Sequence, residues 1–163
     1  MRSAAVLAIV MLLAPLLAAD THHVEVDDKA DFSTFKTFAV HDGRASSRNA
    51  EISSDLLLTK IHDVVRAVLL SKGMKEVPDH PDLTVTFSLA EQGQRGVVGR
   101  GARDSQVVTI SEGTLVIEMM TSGNNLVWHG TYEDGEGDAA KLANKLPDDA
   151  KKLVSEYPPK KKK

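Results

Sequence analysis

Cysteine is absent from all 163 residues. That excludes a disulfide framework, a thiolate nucleophile and a Cys-ligated zinc site, and it leaves the hydrophobic core as the sole support of the fold. A large excess of charge is also missing. The formal net charge is −3, which gives no reason to expect nucleic acid as a partner, although it leaves room for a local basic patch. Long apolar runs are missing too: the longest, residues 4–17, is broken by Pro15 and falls short of the ~20 residues a spanning helix needs. What remains is ordinary globular material, 42% hydrophobic and 26% charged, enough for one domain and too apolar for wholesale disorder.

Residues 1–19 read as a secretory signal peptide, with Arg2 ahead of the apolar run and small residues at Ala18 and Ala19. Leu16 or Leu17 would stand at the −3 position, which prefers a small residue, so the cut falls at Ala19 or a residue or so away. The expected division is a signal peptide over 1–19, a single domain over 20–159 and a basic tail over 160–163. A cut after Ala19 would create the amino terminus Asp20-Thr21-His22. Its amine, two backbone amides and the His22 imidazole could supply four nitrogens in a plane, which suits Cu(II) or Ni(II); the plainer reading is a disordered terminus.

Hydrophobic periodicity orders the rest. Residues 113–132 alternate as two strands around the turn Ser122-Gly123-Asn124-Asn125, with Leu126, Trp128 and Tyr132 on the core face and Val127, His129 and Thr131 on the other. Residues 83–89 alternate strictly, and short strands are expected at 23–28 and 37–40. Leu57, Ile61, Val64, Val65 and Val68 make a helical stripe over 52–70, capped by Asn49 or Ser53 and closed by Gly73. A second stripe, Leu142, Leu146, Ala150, Leu153, Val154 and Tyr157, spans 138–157, with Pro147 either restarting or kinking the helix. Residues 41–50 and 91–105 read as loops, the latter with four glycines and three arginines. The order β-β-α-β-β-β-α predicts an α+β two-layer sandwich, a mostly antiparallel sheet with two helices on one face.

Six short pieces then stand out in order: DFSTFKTF at 31–38, Lys72-Gly73, PDLTV at 81–85, GTLVI at 113–117, LVWHG at 126–130 and YPP at 157–159. Together they resemble the bacterial envelope family called domain of unknown function 4136, many of whose members are lipoproteins, over about residues 23 to 159. The resemblance implies a fold and an envelope location, and it brings no catalytic residues. Members typically end the leader with a lipid-accepting cysteine. Asp20 stands in that place here, so lipidation by that route is excluded. Val40 stands where an aromatic is common, and His129 where arginine is common.

Each motif has a plain reading beside a functional one. Ser33-Thr34-Phe35-Lys36 has the Ser-x-x-Lys spacing of penicillin-binding enzymes, but neither the partner motifs nor a helix follows. The stretch 93–101 lacks the Gly-Lys-Ser/Thr ending of a phosphate loop, which leaves Arg95, Arg100 and Arg103 as a basic contact surface at most. Asp27, Asp28, Asp31, Asp42 and Glu51 are scattered as a solvated surface would have them. His62 and Asp63 have no second histidine at i+4, so no helical metal pair forms. Lys160–163 could touch an anionic envelope surface. No catalytic, cofactor or metal residue is assigned. The expectation is a periplasmic or secreted binding or structural module, not lipid-anchored, whose partner is an envelope protein or ligand. An envelope hydrolase is the alternative.

Overall fold

The computed structural model describes residues 20–98, 106–136 and 138–160, with the backbone alone over 92–98 and 106–112. The expected signal peptide, the tip of the Gly/Arg stretch with Arg100 and Arg103, and Lys161–163 lie outside the described residues. The elements are β1 (Thr21–Val26), β2 (Thr37–Val40), β3 (Arg44–Ser46), α1 (Asp55–Ser71), β4 (Lys75–Glu76), β5 (Leu83–Val98), β6 (Gln106–Thr121), β7 (Leu126–Asp134) and α2 (Ala139–Ser155). This is the α+β architecture the sequence implies, with two additions. β3 forms inside the stretch read as a polar loop, and β4 follows α1. The sheet runs β1-β7-β6-β5-β2-β4, with β3 beside β5. It is antiparallel from β1 to β5 and parallel where β2 meets β5 and β4 and where β3 meets β5.

Alternation sets the two faces. Leu83, Val85, Phe87 and Leu89 pack with Leu115, Ile117, Met119, Trp128 and Tyr132 under the helices, all of them buried. α1 adds Leu57, Ile61, Val65, Val68 and Leu69, and α2 adds Leu142, Leu146, Ala150, Leu153 and Val154. The helix ends follow from local chemistry. The cap of α1 is Ser54, one residue beyond the expected Ser53, and its side chain accepts from the Leu57 amide at 3.3 Å. Asn49 instead holds the preceding turn, its carbonyl accepting from the Ser53 amide. At the other end Gly73 takes φ +85°, and the amides of Gly73 and Met74 return to Leu70 and Leu69 in the six-to-one, five-to-two pattern of a glycine-terminated helix. α2 runs unbroken through Pro147, with Asp138 as its cap.

Two expectations are corrected. Residues 91–98, read as loop, are strand: β5 continues to Val98 and pairs residue for residue with β6 from Gln106. Beyond Gly113 no third strand joins β6 among the described residues; the entry into β6 at residues 106–110 was readable as strand, whereas the continuation of β5 past Glu91 was not. In β7, Leu126 is 46% exposed and Val127 only 3%, the reverse of the expected faces. Met119 pairs with Trp128 and Met120 with Leu126, so Val127 is the extra residue of a bulge, and alternation breaks at it. The left-handed residue of the β6–β7 turn is Asn124, φ +58°.

Candidate functional site

The family-like pieces first account for one another. Asp82, in PDLTV, accepts the amides of Lys36 and Thr37 at 2.8 Å each, and the Thr37 hydroxyl accepts the Asp82 amide at 2.9 Å. These donors hold the Asp82 carboxyl below its ordinary range. Tyr157, in YPP, is buried, and Phe32 meets it edge-on at 5.9 Å. Burial, with a smaller contribution from the Asp82 charge, pushes the Tyr157 phenol up to about 12. The two pieces then enclose a cleft of 770 Å³ between the end of β1 and the carboxyl-terminal segment. Val26, Ala30, Phe32, Pro158 and Pro159 give it apolar walls, and Asp27, Asp28 and Asp31 add carboxylates. Lys160 lies on its rim.

The other expected residues stay apart. Ser33 donates to Asp31 at 2.7 Å, and Lys36 stands in the next stretch of chain with its amide on Asp82, so Ser33 and Lys36 make no nucleophile–base pair. Asp42 lines a separate 660 Å³ cleft with His41, Arg44 and Glu118. Glu51 lies before α1, and His62 Nδ1 stands 3.4 Å from its neighbour Asp63. Thr21 and His22 are paired in β1 with Glu133 and Tyr132, and His22 Nε2 lies 2.9 Å from Glu156. Thr21–Val26 is therefore sheet rather than a disordered segment, and a planar four-nitrogen chelate at residues 20–22 would require Thr21 and His22 to leave the sheet.

Sequence reasoning missed a buried ionic cluster that ties α2 to β7. Asp134 and Asp149 are 1% and 0% exposed. Lys145 Nζ stands 2.7 Å from Asp134 and 3.4 Å from Asp20, and Lys152 Nζ stands 3.0 Å from Asp149 and 3.4 Å from the Tyr132 hydroxyl. The signal was present. Asp149 falls on the stripe between Leu146 and Leu153, and Asp134 shares the inward parity of Trp128 and Tyr132. Burial raises Asp149 against the pull of Lys152. Burial and then the Asp149 charge raise Tyr132. The Asp134 hydrogen bond raises Lys145, and Asp149 followed by Tyr132 raises Lys152. Both lysines are thus moved away from the neutral range where a general base works, as befits a clamp.

On the opposite sheet face His129 contacts Glu118 at 3.3 Å and Thr131 at 3.1 Å. Trp128 beside it is fully buried, as alternation requires. No helix among the described residues is long and apolar enough to cross a membrane.

Comparison with known proteins gives the same outline. A PDZ domain protein from Parabacteroides distasonis superimposes with a TM-score of 0.59 at 15% identity, over 88% of this chain and 37% of that one, so the chain spans about a third of that protein. A DUF4136 family protein from Bacteroides thetaiotaomicron gives 0.53 at 16% identity, over 80% of this chain and 93% of that one. A neuraminyllactose-binding hemagglutinin homologue from Helicobacter pylori gives 0.50 at 10%, over 83% and 92%. At these identities the likeness is one of fold. No curated protein matches the chain in sequence. The profile described as domain of unknown function (DUF4136) matches residues 22–159, nearly all of the described chain, and the protein belongs to that family.

Proposed function

We propose that the protein is an exported, non-enzymatic binding module of the bacterial envelope that engages its partner at the cleft between the β1–β2 connection and Pro158–Pro159. The observation that carries this reading is the convergence there of two stretches far apart in sequence, around Phe32 and Tyr157, to form apolar walls with carboxylates beside them. A mostly apolar cleft with a few fixed polar groups suits ligand recognition. Two further points support the reading. The perturbed lysines and tyrosines are shifted away from neutrality, and Asp20, standing where family members carry the lipid-accepting cysteine, has no thiol to acylate. The occupant is an extended envelope polypeptide or a ligand of similar amphipathic character. Lys160 and the lysines after it would add weak attraction to an anionic surface, about 1 kcal/mol each at contact.

A photo-crosslinking residue at Ser33, exposed on the cleft wall, should capture a discrete envelope partner in cells. The same residue at Leu56, which is exposed and remote from the cleft, should not. Equal capture at both positions, or none at Ser33, would overturn the cleft assignment. Fractionation with mass determination of the native amino terminus tests export: a detergent-only protein retaining Met1 would contradict it.

A further inference from the structure

The sheet face turned away from the helices carries His129, held by Glu118 and Thr131. His129 on β7 stands directly opposite Glu25 on β1 and directly opposite Glu118 on β6, and the adjacent row pairs His23 with Thr131. Residues two apart on a strand share a face, so Glu25, His129, Thr131 and His23 occupy the corners of one patch.

The contacts of His129 fix its tautomer. Glu118 Oε1 lies 3.3 Å from Nδ1, and Thr131 Oγ1 lies 3.1 Å from Nε2. An ionised carboxylate only accepts, so in the neutral ring Nδ1 carries the proton and Nε2 keeps its lone pair, accepting from the Thr131 hydroxyl. A carboxylate behind one ring nitrogen and an unprotonated nitrogen on the other is how metal-binding histidines are oriented. Nε2 points along β7 toward the row that holds His23. His23 Nε2 stands 3.2 Å from Glu25 Oε1, and these side chains are 71% and 70% exposed, so both are free to rotate.

We propose that His23, Glu25 and His129 form a binding site for a divalent transition metal, Zn(II) in the first instance, with Glu118 as a positioning residue. Directly opposed side chains have Cβ atoms about 4.5–5.5 Å apart and diagonal ones about 7–8 Å apart. Two imidazoles and a carboxylate reach one ion from such positions at the ~2.0–2.2 Å zinc requires, and water completes a tetrahedron. In the present rotamers no three such donors meet among the described residues. Closing the set takes rotation of His23 and Glu25 and replacement of the Thr131 hydrogen bond by the metal.

The test is calorimetric titration of the tag-free protein with ZnCl2, together with Co(II) absorption as a report on tetrahedral imidazole ligation. One ion per chain is expected. His23→Ala and His129→Ala should each weaken binding at least about tenfold and abolish the Co(II) band. Glu118→Gln should weaken it about 10–100-fold with the band retained. His22→Ala is the control: His22 faces the other side of the sheet, against Tyr132 and Glu156, and its loss should change nothing. Circular dichroism melts confirm that each variant is folded. Absence of zinc uptake, wild-type affinity in His129→Ala, or a loss in His22→Ala equal to that in His23→Ala would overturn the site.

Discussion

Asp82 joins two stretches of chain that sequence separates by 45 residues, through two amide hydrogens and one hydroxyl. Its pKa is depressed on folding, so its contribution is present above the unfolded value near 4 and is lost as pH falls through the folded one. Asp82→Ala should cost about 1–3 kcal/mol at pH 7, and the gap from wild type should narrow in urea titrations below pH 4. Asp149 has the opposite sign. Its pKa is raised, mainly by burial, so its contribution is complete below the unfolded value and is lost as pH rises. Asp149→Asn should therefore melt above wild type at pH 7, with the advantage shrinking toward pH 4. Trp128→Ala should cost about 3–5 kcal/mol and His129→Ala no more than about 0.5, read from the same titrations. The opposition of these two neighbours was legible in the sequence, because alternation alone decides it. The burial of Asp134 and Asp149 was on the right parity, yet a carboxylate enters a core only with a partner, and Lys145 and Lys152 become partners only once α2 lies on β7.

At the scale of elements, stripes and caps were legible where one face of an element meets the core, as in α1, α2 and residues 83–89. Legibility ended where that condition ended. The β5–β6 arms run seven residue pairs past the junction with β7, roughly 20 Å of two-stranded ribbon, and with no third strand beside it the Gly- and Arg-rich β5 arm reads as loop while only the β6 arm reads as strand. The bulge at Val127 was equally hidden, because a local period cannot register an extra residue whose only mark is a shift in cross-strand pairing. Gly73 was readable and gives a clean test. A Cβ there meets nothing within 4 Å, so Gly73→Ala isolates the left-handed backbone. The expected loss is about 1–2 kcal/mol in stability, measurable as a lower urea midpoint with an unchanged slope.

For the whole molecule, the six pieces that mark the family are mostly joints of the fold. Gly130 shows why: a Cβ there would come within 2.4 Å of the Trp128 ring and 2.8 Å of Leu153. Such pieces make the architecture recognisable and say little about what the outer sheet face, with Glu118 and His129, binds. The position of β1 has a consequence in time. Thr21 contacts Glu133, 112 residues further on, and β1 pairs with β7 alone. The strand made early in synthesis therefore has no sheet partner until Leu126–Asp134 has been made. Throughout that interval the amino-terminal end of the domain is an extended substrate for any protease acting on the growing chain, and the arrival of β7 ends that exposure.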